Sequence, residues 1–199
     1  VDAITCFSDG DGDGYGVPAT VVSLDADCSD PGESAVSTDC NDNAIAIHPG
    51  ATETCNAIDD DCNGVRDPTG TCPSCTQGTL GGHVYQFCTT DRAWQAAHNW
   101  CVARGYYLTT INSGAENTFL FNGTAIDASH KWHMGFTDAA SEGNWVWAAG
   151  NGSGYTNWHS GEPNNAGGDE DCGQLRRYAD GTWNDEPCSQ ALNYICEAD

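Results

Sequence analysis

From Ala93 to Arg104 the chain reads Ala-Trp-Gln-Ala-Ala-His-Asn-Trp-Cys-Val-Ala-Arg. Trp94, Ala97, Cys101 and Arg104 recur at three-to-four spacing, which is one face of a helix. Gly105 supplies the stop and Asp91 an N-cap. A second short helix is predicted over 114–122, around Glu116, Phe119 and Leu120. Beyond it the period shortens. His133–Phe136, Asn144–Trp147, Cys172–Leu175 and Tyr194–Cys196 are short aromatic or apolar runs between Gly/Asn-rich stretches, and they read as strands. The expectation for this half is a mixed α+β domain with long irregular loops, which are usually functional or tied down.

Residues 1–74 show no such pattern. They hold 15 acidic residues, one basic residue (Arg66) and no Trp, whereas all seven Trp follow. A segment without large apolar side chains cannot build a core by burial alone and needs metal or disulfide staples. The change of composition divides the chain into an acidic module, residues 1–70, a Pro/Gly/Thr-rich linker, 71–75, and a second domain, 76–199. Twelve cysteines in 199 residues point to a disulfide framework and an oxidising compartment, secreted or cell-surface. No run of about 18 apolar residues could span a bilayer. An apolar signal region is also missing, so the chain is expected to begin after one was removed. A net charge of −23 excludes nucleic acid and anionic lipid as partners.

Many of these carboxylates stand at metal-ligand spacing. Asp9, Asp11 and Asp13 alternate with glycines, and Tyr15 follows to offer a carbonyl; this is the opening of an EF-hand loop. The twelfth position is Thr20 rather than Glu, and no flanking helices are visible. Asp59, Asp61 and Asn63 repeat the pattern, with the turn at Gly64 and Asp67 at the ninth position. Asp39 to Asn43 is a third, weaker cluster. Asp11 to Gly16, Pro49 to Cys55 and Asp59 to Gly64 together resemble bacterial metal-binding-motif repeats and are similar to the calcium-wrapped repeats of thrombospondins. The resemblance covers most of residues 6–67 and implies that several calcium ions largely replace a core.

The second half resembles a C-type lectin domain in the order and spacing of its motifs. They are Tyr85-x-Phe87, Trp94-x-x-Ala97-x-x-x-Cys101-x-x-x-Gly105, Glu116-x-x-x-Leu120, Trp145-x-Trp147, Glu162-Pro163-Asn164, Glu170-Asp171-Cys172, Trp183-Asn184-Asp185 and Tyr194-x-Cys196. The resemblance spans about 115 residues, a domain's length. It implies a double-loop α+β fold behind a small irregular module held by disulfides and calcium. It also implies disulfides Cys101–Cys196, Cys172–Cys188 and Cys75–Cys88, and a cis peptide before Pro163. One departure stands out: His133-Met134-Gly135-Phe136 puts a His where the family carries Trp, with Trp132 beside it.

Glu162, Asn164, Glu170, Asn184 and Asp185 offer side-chain oxygens and no competing nitrogen base, the donor set calcium prefers. The resemblance implies that this ion also coordinates two vicinal sugar hydroxyls. Each hydroxyl then accepts from an amide and donates to a carboxylate, which uses its whole hydrogen-bonding capacity. Glu-Pro-Asn implies the mannose-type subgroup: mannose, fucose, glucose, N-acetylglucosamine. Asp138, Glu142, Asn165, Glu170 and Asp171 match an auxiliary calcium site. The resulting expectation is a non-enzymatic carbohydrate-binding protein, multivalent through oligomerisation or a larger parent protein. The alternative is a calcium-stabilised structural or adhesion protein that binds a protein or another surface. A glycosidase would need one carboxyl raised in an apolar cleft. Cys72-x-x-Cys75 lacks the second pair that zinc would want.

Overall fold

The computed structural model describes residues 3–199. The chain forms two compact units, divided between Thr71 and Cys72.

In the first unit, β1 (Ile4–Ser8) pairs antiparallel with β2 (Val17–Ser23) and with β3 (Glu33–Ser34). The Asp/Gly loop is the tip of this β1–β2 hairpin, so the EF-hand-like spacing sits between strands rather than helices. Disulfides Cys6–Cys28 and Cys40–Cys62 close the unit. Apart from cysteine, Ile47 is the one buried hydrophobic side chain among its described residues, while Val22, Leu24 and Ile45 are exposed. Backbone turns and carboxylates do the work that apolar packing does elsewhere.

The second unit is mixed α+β. Its elements are β4 (Cys75–Leu80), β5 (His83–Arg92), α1 (Trp94–Val102), β6 (Tyr107–Leu108), α2 (Gly114–Gly123), β7 (Trp132–Thr137), β8 (Val146–Trp147), β9 (Cys172–Leu175), β10 (Asn184–Glu186) and β11 (Leu192–Ala198). The main sheet runs β10-β9-β7-β11-β5-β4; β6 joins β11 and β8 joins β7. The β7–β11 pair is parallel and its other neighbours are antiparallel. β4 begins at Cys75, the residue on which the expected linker ended, because that cysteine pairs with Cys88 in both sheet register and disulfide. Cys101–Cys196 fastens α1 to β11, and Cys172–Cys188 fastens β9 to the turn after β10.

Two local expectations are corrected. Asp91 is not the cap of α1: β5 runs through Arg92, which pairs with Leu192, and the helix starts from Ala93 with no side-chain cap. Arg104 lies beyond the helix and places its guanidinium 4.1 Å above the Trp100 ring. For α2, the Ser113 hydroxyl accepts from Glu116 N at 3.2 Å, a conventional N-cap. The Glu116 carboxylate, itself buried, accepts from Tyr85 OH at 2.8 Å and from Asn112 N at 2.7 Å.

The core gathers Tyr85, Phe87, Leu120, Trp132, Met134, Phe136, Trp147, Trp183 and Ile195. β7 is buried along nearly its whole length, so both of its faces are covered. That is how the chain accommodates the His133 departure. Trp132 fills one face, and His133 is wholly buried on the other, its Nε2 donating to Gln190 O at 3.0 Å. Burial pushes the His133 imidazole down from 6.5 to about 4, so the ring is neutral at pH 7.

This has a pH consequence. A buried His with a depressed pKa binds fewer protons folded than unfolded. Its stability contribution is therefore complete above pH 6.5 and falls as pH drops toward about 4. The loss is at most about 3–4 kcal/mol, since one pKa unit is about 1.4 kcal/mol. Urea unfolding of wild type and His133→Gln from pH 7 to 4 should show the wild type losing more; parallel slopes would refute the assignment.

Candidate functional site

The Trp-Asn-Asp run explains how the second unit builds its site. Trp183 is wholly buried, 5.8 Å from Phe136 and 5.7 Å from Trp158, and its indole N–H donates to Asn117 Oδ1 at 2.6 Å. Asn117 in turn donates to Gly181 O. With Trp183 fixed from both sides, β10 leaves the core carrying Asn184 and Asp185 at a set position. On the other side, His159 N donates to Trp183 O at 2.9 Å and Glu162 N to His159 O at 2.9 Å. The loop therefore turns directly above β10. The Glu162–Pro163 peptide is cis.

Asp185 is wholly buried, and its two oxygens accept from Asn164 N at 3.2 Å and Asn165 N at 2.7 Å. Asn165 stands in the left-handed region, at φ 46°. Its side chain donates to Glu142 Oε2 at 2.6 Å and accepts from Glu170 N at 3.1 Å. Glu170 Oε2 accepts from Ala166 N at 2.7 Å. The result is a cleft of about 210 Å³ lined by Glu162, Asn164, Glu170 and Asn184, with Asp185 holding the loop rather than lining it. Burial raises the Glu170 carboxyl above its ordinary range, and the nearby Asp185, Glu186 and Glu162 charges add to this. Glu162 Oε2 is buried with no hydrogen-bond donor. Lys131 and Arg177 also line the cleft, but the carboxylates of Glu162, Glu170 and Glu186 outnumber them, and the unsatisfied Glu162 oxygen suits a cation.

The cleft contains side chains that the motif reading missed. Tyr178 OH donates to Glu162 Oε1 at 2.6 Å and reaches Asn184 Oδ1 at 3.3 Å, and its ring stacks on His159 at 3.7 Å. Glu186 directly follows the Trp-Asn-Asp run and pairs with Lys131 at 2.9 Å. That adjacency was the available signal for Glu186; Tyr178 has none in the sequence. Of the auxiliary set, Asp138 is buried, its Oδ2 accepts from Gly143 N, and its Oδ1 has no donor. Asp138 N donates to Asp171 O at 3.2 Å, while Glu142 and Glu170 meet through Asn165.

The first unit places Asp9, Asp11 and Asp13 with one oxygen each inside 4.8 Å of the others. Asp9 accepts from Gly12 N at 2.7 Å and Gly14 N at 3.0 Å. Asp59 and Asp61 form a second group, and its third carboxylate is Glu53. Asp67, expected there, is turned away. It is wholly buried at φ 42°, and its oxygens accept from the amides of Asn56 and Ala57. Glu53, six residues before Asp59, bridges the amides of Asp61 and Asp67. Asn63 Oδ1 accepts from Val65 N, which closes the turn.

Comparison with known proteins adds two family matches. Residues 90–198 match the model described as "Lectin C-type domain", and residues 39–68 match one described as "Putative metal-binding motif". The curated protein "C-type lectin domain family 4 member K" of Mus musculus is 37% identical over 122 residues, 59% of this chain; the match spans only 36% of that protein's length. Among solved structures, C-type lectin CEL-I from Cucumaria echinata superposes with TM-score 0.58 at 32% identity, covering 64% of this chain and 97% of that one. The cow C-type carbohydrate-recognition domain of CD23, solved in the presence of GlcNAc2Man3 oligosaccharide, gives 0.56 at 29%, covering 64% and 95%. A Ca2+-dependent type II antifreeze protein gives 0.57 at 26%, covering 64% and 100%.

Replacing Asp185 by Asn keeps one acceptor but turns an NH2 against the second backbone N–H. Removing a charge-assisted bond and stranding a buried donor costs about 1–3 kcal/mol. Hydrogen exchange at the Asn164 and Asn165 amides should accelerate at least about tenfold, by the same energy scale. Unchanged protection would mean that something other than Asp185 holds the loop.

Proposed function

The chain belongs to the C-type lectin domain family, and on that premise we propose that it is a non-catalytic module that binds mannose-type sugars through a calcium ion in the Glu162–Asn184 cleft. The observation that carries this is the convergence of Glu162, Asn164, Glu170 and Asn184 on one small cleft, three of them on a loop that buried Asp185 clamps above the fourth.

The residues present fit calcium. They offer carboxylate and amide oxygens, no thiolate and no histidine nitrogen in the cleft, and a buried Glu162 oxygen without a donor. Glu162, Asn164, Glu170 and Asn184 would hold the ion, with Asp185 clamping the loop that carries three of them; the ion, as a Lewis acid, would take one lone pair from each of two neighbouring hydroxyls. This chain's residues do the rest. The amides of Asn164 and Asn184 can donate to a hydroxyl oxygen, and the carboxylates of Glu162 and Glu170 can accept its proton. Because the cleft offers both amide donors and carboxylate acceptors, a hydroxyl pair fits only when donor and acceptor directions match. That directional demand, with the order Glu-Pro-Asn, favours the equatorial 3- and 4-hydroxyls of mannose, glucose, N-acetylglucosamine and, in an equivalent arrangement, fucose. The oligosaccharide in the cow CD23 structure, GlcNAc2Man3, is composed of two of these sugars. Asp138, Glu142, Asn165, Glu170 and Asp171 would hold an auxiliary ion that stiffens the same loop. Asp9, Asp11, Asp13, Asp59, Asp61 and Asn63 would hold ions in the first unit. No helix among the described residues is long and apolar enough to cross a membrane, and the disulfides suit a secreted or cell-surface protein.

Likeness to the antifreeze structure favours one second reading: the same loop, held by the same ion, presenting a flat face to a surface rather than a pocket to a sugar.

A site that grips two hydroxyls should bind a free monosaccharide at about millimolar strength, near −4 kcal/mol, with useful avidity only from several copies. The chain should bind immobilised mannose in calcium and elute in chelator. Glu162→Gln with Asn164→Asp exchanges carboxylate and amide across the cleft and should move preference toward galactose supports. If the double variant keeps its calcium and its original preference, the sugar is not held by this ion. Thermal hysteresis with no sugar retention would favour the second reading.

A further inference from the structure

Side chains alternate along β10. Asn184 and Glu186, two apart, share one face of the strand, and Asp185 takes the other. Asn184 and Glu186 both line the cleft read above as the sugar site, as does Lys131, which pairs with Glu186 at 2.9 Å. Lys131 and Glu186 also line a second cleft, of about 380 Å³. The two clefts therefore adjoin across one ion pair. Gln174 on β9 donates to the same Glu186 oxygen, so the shared wall is fixed from the sheet. The rest of the second cleft comes from the end of β5 at Asp91, from His130 before β7, and from the turn into β11 at Gln190, Ala191 and Leu192. We propose that this second cleft is a subsite for the next pyranose of a neutral oligosaccharide whose terminal residue sits in the Glu162–Asn184 cleft, an inference that rests on the sugar reading of that cleft.

The lining suits a sugar ring. A pyranose has hydroxyls on its rim and a patch of C–H groups on its face, so it needs donors and acceptors beside an apolar surface. Ala191 and Leu192 supply the apolar part. The Asp91 carboxylate and the Gln190 carboxamide supply the polar part; both residues are exposed, and neither side chain has a hydrogen bond among the described residues. A carboxylate accepts from a hydroxyl in a charge-assisted bond, and a carboxamide both accepts and donates. The backbone that carries Gln190 is pinned, since its N donates to Pro187 O at 2.9 Å and its O accepts from buried His133 at 3.0 Å. His130 is held as well: its Nδ1 lies 2.7 Å from Asp127 Oδ2, which leaves Nε2 as the ring nitrogen for a ligand. Charge selects a neutral sugar. Lys131 is engaged by Glu186 and His130 by Asp127, so no cation is left over to favour a sulfated or carboxylated ring, and the net charge of −23 opposes one. Contacts of this exposed kind are weak alone. They count because a residue tethered to one already bound does not pay the cost of association again.

The test is competition for an immobilised mannose support at fixed calcium, with the full chain. The competitors are free mannose and the mannose disaccharides of each α-linkage. At least one linkage should compete at least about fivefold better than mannose, more than the about twofold that a second copy of the residue gives by statistics. Asp91→Ala and Gln190→Ala should each shrink that gain, and Ala191→Trp, which fills the second cleft, should abolish it. Mannose itself should stay within about twofold of wild type in these variants, because none of the three side chains lines the first cleft. The proposal is overturned if no disaccharide gains over mannose, if the gain survives Ala191→Trp or survives both alanine changes, or if mannose affinity falls in parallel with the gain. Wild type that ignores mannose in calcium would overturn the sugar reading itself, and this subsite with it.

Discussion

The architecture of the second unit turns on one buried carboxylate. Asp185 takes two consecutive backbone amides, Asn164 and Asn165, and so converts a long irregular loop into a fixed wall. It can do so because the residue two before it, Trp183, is locked into the aromatic core and hydrogen-bonded to α2 through Asn117. The chain of constraint runs from core packing, to strand position, to a charge-assisted clamp, to the side chains that face the cleft. Each step is short range, and none needs the loop to have regular secondary structure. A preorganised cluster of oxygens is what a weak, polar ligand such as a sugar requires, because little affinity is available to order a floppy site.

The two units solve the stability problem in opposite ways. Cys72–Asp199 buries six aromatic side chains within a core crossed by strands and two helices. Among its described residues the first unit has one buried aliphatic side chain, the disulfides Cys6–Cys28 and Cys40–Cys62, and a high density of carboxylates that cap their own turns. In the first case water is excluded and the energy is hydrophobic. In the second the backbone is held by Asx-type turns, and the residual negative charge must be balanced from outside.

Much of this was legible beforehand. Helices around Trp94 and Phe119, the strands at 133, 172 and 194, and the clustering of the Glu162, Glu170 and Asn184 motifs follow from periodicity and motif order, because there local pattern and tertiary packing agree. What was not legible came from long-range pairing. Asp91 has an N-cap's chemistry, yet Leu192 recruits its neighbour Arg92 into β5, and the strand prevails. Asp67 has a ligand's spacing, yet its positive φ turns it onto Asn56 and Ala57 while Glu53 takes the place beside Asp59. Tyr178 belongs to no motif and enters the cleft only because the β9–β10 connection passes over it. A side chain delivered by tertiary return leaves no mark in a linear pattern.

Between Trp158 and Cys172 the chain is held by hydrogen bonds: the Trp183 carbonyl and Thr182 hydroxyl on His159, Tyr178 on Glu162, the Asp185 oxygens on Asn164 and Asn165, the Glu142–Asn165–Glu170 relay, and Thr137 and Asp138 on the Asp171 carbonyl. None of its side chains is among the buried core residues. The segment is therefore a cassette. Its residues can be exchanged as a block, provided that the two amides and their spacing survive, without the exchange being felt by α2 or the central strands. A lineage carrying this scaffold can change what it recognises at nearly constant folding stability. An engineer can do the same by grafting ten or so residues and leaving the rest alone.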